Sequence, residues 1–298
     1  MRAIIVLGMH RSGTSAVTRA IGLLGAEMGD AERMQRLWEN IPLRNLNEKL
    51  LGIGNGTWDS PPEPGWLDSK RARALLDRAR RTVADQFGSA QVAVWKDPRT
   101  CVTLPFWLDV FEAEPVFLLI HRHPTEVADS LGSRNKLGRG HGYAMWERYN
   151  ADALQSSQGH PTVVLEYGAL VTDPVGSLVS VSRSFADFGV TLPNDPATTD
   201  HGLVPEQRHH TASAVDEIDG ETATASQQDL FSLLRDLNGA HAELALPRQV
   251  PAAHPLSLEL LTLARRHRFA KRAHRKEREH SSASADPSSP TSSSRSRR

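Results

Sequence analysis

The sequence predicts an α/β protein of P-loop-like, three-layer α/β/α build around a central parallel sheet. Two observations carry that expectation, and the length permits it. Short apolar runs at residues 3–7, 92–95, 116–120 and 162–165 are each followed by a polar or basic residue and then a helical pattern, the alternation that yields parallel strands joined by covering helices. The first run passes directly into Gly8-Met9-His10-Arg11-Ser12-Gly13-Thr14-Ser15 and then into the apolar-periodic Ala16, Val17, Ala20, Ile21, Leu23 and Leu24, so a buried strand turns into a helix through a glycine-bearing loop. A chain of 298 residues can bury one substantial core without requiring a second.

The loop at 8–15 has the spacing of a phosphate-binding turn but carries Thr14 where a triphosphate-binding loop has its lysine. Glycine at 8 and 13 lets the backbone approach an anion. The N–H groups of Ser12 to Ser15 would face it at the positive end of the helix dipole, and Arg11 adds a forked, permanent charge. Arg11, Ser12, Gly13, Thr14 and Ser15 are therefore the expected anion-binding residues.

Helical patterns follow at 43–53 and 68–87, separated by a loop at 54–66 rich in Gly and Pro and containing Trp58 and Trp66. Loops of that length in compact domains are usually functional or disordered, and the tryptophans favour an ordered rim that packs below or meets a ligand. The strand at 92–95 runs into Lys96-Asp97-Pro98-Arg99-Thr100, with Cys101 expected as a small buried residue at a helix start. After the strand at 116–120, Arg122 falls at the strand's carboxyl end and Ser130 about two turns into the next helix. That is the edge at which open α/β sheets bind ligands, so this pair is the candidate for a second anion. Asp173-Pro174 marks a helix start. Residues 190–224 are expected to be irregular, 226–244 and 256–276 helical, and the Ser/Pro-rich remainder unable to bury enough apolar surface to order itself. The expected organisation is a catalytic domain over 1–264 and a basic Ser/Arg-rich tail over 265–298.

No apolar run approaches the length of a membrane span, and the strand that begins near the N-terminus leaves no room for a cleavable leader, so a cytoplasmic location is expected. The single cysteine excludes an internal disulfide and any multi-cysteine metal centre. Net charge is zero overall, but residues 265–298 hold eleven basic and three acidic residues, net +8, leaving net −8 on the rest. Such a tail either meets an anionic membrane surface or folds back on the acidic body; basic low-complexity tails are too common to imply a specific nucleic-acid partner.

Taken together, these motifs resemble the sulfotransferases that use 3′-phosphoadenosine 5′-phosphosulfate (PAPS), in particular bacterial members related to the carbohydrate sulfotransferases. Arg11-Ser12-Gly13-Thr14-Ser15 matches the family's loop for the 5′-phosphosulfate, and Arg122 with Ser130 matches its pair for the 3′-phosphate. Trp95-Lys96-Asp97-Pro98-Arg99, the run from Val163 to Tyr167 and Asp173-Pro174 extend the likeness over about residues 3–190. The family's C-terminal Arg-Lys-Gly element for the 3′-phosphate is absent. The resemblance implies transfer of a sulfuryl group from PAPS to a hydroxyl or amine of a small-molecule or glycan acceptor. The residues themselves imply no metal, since no lysine follows Gly13 and no apolar strand ends in a convincing magnesium-binding Asp. The resemblance places Glu39 as the residue that takes the acceptor's proton, with Glu32, Asp97 and His10 as alternatives. Arg11 and Lys96 are the cations for charge developing on the leaving phosphate. Two anion sites on neighbouring strand ends suit PAPS better than ATP, but a kinase with an atypical loop and a catalytically silent binding protein are the competing readings.

Overall fold

The computed structural model describes residues 1–34, 37–203 and 223–283, without the side chains of 33 and 272–283. Five strands form one sheet in the order β2-β1-β3-β4-β5: β1 (Arg2–Leu7), β2 (Val92–Lys96), β3 (Val116–His121), β4 (Thr162–Glu166) and β5 (Gly239–His241). The first four are mutually parallel, with Val6 opposite Lys96, Leu7 opposite Leu119 and His121 opposite Glu166. Their carboxyl ends therefore share one edge. From β1 the chain steps out to β2 on one side and returns to β3 on the other, which makes the β1/β3 boundary the topological switch point where such sheets open a crevice.

Helices follow in chain order: α1 (Thr14–Leu23), α2 (Ile41–Ile53), α3 (Lys70–Arg73), α4 (Leu76–Phe87), α5 (Thr100–Leu108), α6 (Pro124–Asn135), α7 (Arg139–Ser157), α8 (Tyr167–Thr172), α9 (Pro174–Asp187), α10 (Ala225–Asp236) and α11 (Pro255–Ala283). Alternation along the strands splits the core in two. Ile5, Leu7, Trp95, Phe117 and Leu119 point to a layer with residues of α2, α4, α5, α6, α7, α10 and α11, while Ile4, Val6, Val94, Leu118 and Ile120 point to one with residues of α1, α8 and α9. The three layers of the sequence expectation follow from this alternation.

Local chemistry explains several boundaries. Asn40 caps α2 by accepting the Leu43 N–H at 3.3 Å, Asp173 caps α9 by accepting that of Gly176 at 2.9 Å, and Thr224 with Gln227 forms a capping box on α10. The sheet departs from the purely parallel expectation at β5, which pairs antiparallel to β4. The helix expected over 226–244 stops at Asp236 because Asn238-Gly239 breaks it, Gly239 taking φ +127°, and the chain turns back as an edge strand. The pattern at 68–87 is likewise broken into α3 and α4, with Ser69 capping the first. The irregular stretch expected over 190–224 is described only outside 204–222; the remainder of it, with His209 and His210, and the Ser/Pro-rich end at 284–298 lie outside the described residues. The boundary expected at 264/265 falls inside α11, which continues unbroken across it. No helix among the described residues is long and apolar enough to cross a membrane.

Candidate functional site

The loop after β1 is shaped by two glycines and one strained arginine. Gly8 takes φ +149°, and a Cβ there would lie 2.4 Å from the Ile120 carbonyl oxygen, so only glycine lets β1 and β3 approach at the loop's entrance. Gly13 takes φ +92°, and its Cβ would penetrate the Tyr167 ring at 2.1 Å. Arg11, at φ +74°, occupies the left-handed region that a side chain rarely adopts. The loop is tied internally by the Ser12 N–H to the Met9 carbonyl at 3.1 Å and externally by the Gly8 N–H to Cys101 Sγ at 3.1 Å. Cys101 is buried in α5, and burial pushes its thiol up to about 12, consistent with a packing role.

The two predicted anion motifs meet. Arg11 Nε donates to Ser130 Oγ at 2.8 Å, and Arg122 Nη1 donates to the Arg11 carbonyl at 3.1 Å. Arg122 also donates through Nε to Glu126 at 2.5 Å and lies 4.7 Å from the centroid of the Tyr167 ring. Among the described residues the N–H groups of Gly13, Thr14 and Ser15 have no protein partner, and the buried Ser12 Oγ has none either. Unpaired donors at the start of α1, beside Arg11, form a cradle whose unmet hydrogen bonds an anionic oxygen would satisfy.

Beside the cradle opens a cavity of ≈ 270 Å³ lined by loop residues (His10, Arg11, Thr14, Ser15), the approach to α2 (Leu37, Glu39, Arg44), Trp58, the end of β2 (Lys96, Pro98, Arg99) and the end of α6 (Arg134, Asn135). Its lining is strongly cationic. Lys96, only 2% exposed, donates to Glu39 Oε1 at 3.1 Å, while Arg99 approaches Glu39 Oε2 at 3.6 Å and donates to Asp97 at 2.8 Å. Burial pulls the Lys96 ammonium below its ordinary value, partly offset by Glu39. Burial, followed by the charges of Arg134 and Arg122, does the same to Arg11. His10 lies with ring centroids 4.9 Å from Trp58, and its Nε2 is shut off from solvent without a partner. Burial first, then Arg99, Lys96, Arg11 and Arg134, holds it well below 6.5, so it is a neutral imidazole at neutral pH.

The structure thus brings Glu39, Lys96, His10, Arg11, Thr14 and Ser15 to one cavity wall. Arg122 and Ser130 stand behind Arg11, outside that lining. Of the alternative acids, Asp97 is buried and occupied by Asn47 Nδ2 at 2.8 Å and by Arg99, and Glu32 is exposed in a short 3₁₀ turn away from the cavity. Trp58 faces the cavity; Trp66 packs against Gly54. Sequence reasoning missed Asn47, whose side chain receives Thr103 Oγ1 and Trp107 Nε1, each at 2.7 Å, and donates to Asp97 and Thr100, locking α2 to the β2–α5 turn. It also missed Arg44 and Arg134; the latter lies four residues after Ser130, a spacing that puts both on one helix face. Among the described residues no cluster of His, Cys, Asp and Glu could hold a metal ion.

Fold and site together define an α/β protein with a P-loop-like cradle of unpaired donors at the switch point of its sheet. No family model matches the chain, and no curated protein matches it. Among solved structures, the chain is similar to the sulfotransferase domain of the Synechococcus PCC 7002 olefin synthase, at 18% identity over 88% of this chain and 94% of that one, TM-score 0.40. It is similar to the sulfotransferase domain of the curacin biosynthetic pathway at 17% identity over 89% and 98%, TM-score 0.39. A third is the sulfotransferase STF1 of Mycobacterium tuberculosis H37Rv, at 17% identity over 69% and 74%, TM-score 0.43.

Proposed function

We propose that the chain is a sulfotransferase that moves a sulfuryl group from PAPS to a hydroxyl or amine of a small-molecule or glycan acceptor in the cavity. One observation carries the reading: the two anion motifs are joined through Arg11, Ser130 and Arg122 at one strand edge, beside a cationic cavity. A donor with a phosphosulfate and a separate 3′-phosphate suits paired anion motifs, and Thr14 in place of a P-loop lysine disfavours a nucleoside triphosphate.

The residues present fit the donor's phosphosulfate: the unpaired N–H groups of Gly13 to Ser15, the partnerless Ser12 hydroxyl and the Arg11 guanidinium supply donors and charge for its oxygens. Bound there, PAPS would supply an activated sulfuryl group and a leaving phosphate. Lys96 and Arg11 are placed to stabilise charge that grows on that phosphate, which is where preorganised cations contribute most. Glu39 reaches the same cavity with its carboxylate already oriented by Lys96 and Arg99, and we assign it the acceptor's proton. The neutral His10, ringed by cations, serves as a hydrogen-bonding wall group. Arg122 and Ser130 are assigned to the 3′-phosphate, which would compete with Glu126 for Arg122. The domain that does this work is assigned to residues 1–264.

The test is incubation with PAPS and, separately, with Mg-ATP in the presence of a cell extract, followed by mass spectrometry that resolves sulfate from phosphate esters. A new sulfate ester dependent on PAPS and lost in Lys96→Met supports the reading. A phosphate ester from Mg-ATP with no sulfated product overturns it.

A further inference from the structure

Eight large hydrophobic side chains are exposed among the described residues, and five of them, Leu256, Leu258, Leu260, Leu263 and Phe269, lie on α11. Leu258 and Phe269 lie towards the side of the helix that carries Arg265, so the surface in question is the contiguous remainder, since contiguous exposed apolar residues mark an interaction surface and single ones are ordinary. Leu256, Leu260 and Leu263 follow i, i+4, i+7 spacing and so form one stripe along the helix. The opposite face is anchored. Ser257 and Leu261 are buried, Arg265 Nη1 donates to the Pro61 carbonyl at 2.6 Å and pairs with Glu63, and Arg268 pairs with Asp59. With that face fixed on the loop around Trp58, the leucine stripe has one outward orientation.

Charge identifies what it meets. Exposed Arg266 and Lys271 flank the stripe on either side, where long basic side chains can lay their stems along apolar surface and keep their charges at a headgroup layer. The sequence then adds Arg272, Arg275, Lys276 and Arg278, with Glu277 as the only acid among these. Glu259, also exposed, is the single acid among the described residues along this face. We propose that α11 docks the protein on an anionic lipid bilayer, leucine stripe at the acyl boundary and flanking cations among the headgroups. An apolar stripe bordered by cations fits that partner better than it fits a second copy of the same helix, whose like charges would be brought together.

The experiment is co-sedimentation of the full chain with phosphatidylcholine vesicles, with and without phosphatidylglycerol, alongside light scattering to measure the oligomeric state. Binding is expected only to the anionic vesicles, with release at high salt because the attraction is screened over roughly 8 Å at physiological ionic strength. Leu256→Ser/Leu260→Ser/Leu263→Ser should weaken it by more than about tenfold. Arg266→Glu/Lys271→Glu, which touches only exposed residues and leaves the anchored face intact, should weaken it by a similar factor, and Glu259→Gln should tighten it. Equal binding to neutral and anionic vesicles, no binding to either, or unchanged binding by both multiple variants would overturn the proposal. So would a dimer that dissociates on removal of the leucines. None of these outcomes depends on the donor or the reaction.

Discussion

Glu39→Gln separates the chemical role of this residue from its structural one. Glu39 and Lys96 are 5% and 2% exposed and hydrogen-bonded at 3.1 Å, so the carboxylate is the main compensation for a buried ammonium. Removing one member of a buried pair costs about 3–5 kcal/mol, and the glutamine oxygen can still accept from Nζ, which places this variant near the lower end, about 3 kcal/mol. At about 2–4 °C per kcal/mol for a domain of this order, Tm should fall by roughly 6–12 °C. The loss should depend on pH in a stated direction. Lys96 is held below its ordinary value in the native state, so between that value and the unfolded one the unfolded chain binds the extra proton and stability rises with pH. Loss of the Glu39 charge lowers the native value further, so the variant should recover relative to wild type as pH rises towards the ordinary lysine range at about 10. Turnover with PAPS should drop by about 10²–10⁴-fold, the usual contribution of a positioned base, while 3′,5′-ADP affinity stays near that of wild type. The assays are thermal melts across pH, calorimetry with 3′,5′-ADP and initial rates. Near-wild-type turnover would refute the role of Glu39 as base, and a stability loss independent of pH would refute the account of the buried pair.

Two further variants test the cradle. Arg122→Ala should weaken 3′,5′-ADP by about 1.5–3 kcal/mol more than 5′-AMP, because only the former carries the group assigned to Arg122; equal losses by calorimetry would remove that assignment. Gly13→Ala places a methyl 2.1 Å from the Tyr167 ring at φ +92° and should abolish 3′,5′-ADP binding, whereas Gly65→Ala, at φ +90° with nothing within 4 Å, should cost only about 1–2 kcal/mol of backbone strain and leave binding intact. Binding retained by Gly13→Ala would contradict the close approach of Tyr167 to the loop.

Much of the sheet was legible because its four parallel strands are buried on both faces and read as uninterrupted apolar runs that end in a polar residue. The loop from Gly8 to Ser15 was legible for a similar reason: its glycines are required by approach distances, and its neighbours are a strand and a helix with clear periods. The helix α7 was not. Residues 142–150 of it are buried without interruption, so the helix shows no amphipathic period to separate it from background. The strand β5 was missed because three residues, two of them exposed, carry no alternation, and only Gly239 hinted that the helix ends there. In the site, Lys96 and Glu39 were named separately, but their bond joins residues 57 positions apart and depends on α2, which follows Glu39, being tied through Asn47 to the turn after β2. Asn47 had no signal at all, since an asparagine inside a helix declares its four partners only once Asp97, Thr100, Thr103 and Trp107 are folded around it. Arg134 could have been found by extending the Ser130 face by one helical turn.

The central claim, that the joined motifs hold a 3′-phosphorylated adenosine nucleotide rather than a triphosphate, is tested most directly by thermal shift without metal. At about 100 times its Kd, 3′,5′-ADP should stabilise the fold by roughly 2.7 kcal/mol and raise Tm by several degrees, with Mg-ATP doing less. No shift with saturating 3′,5′-ADP alongside a clear one with Mg-ATP would contradict the account and transfer the site to phosphoryl chemistry.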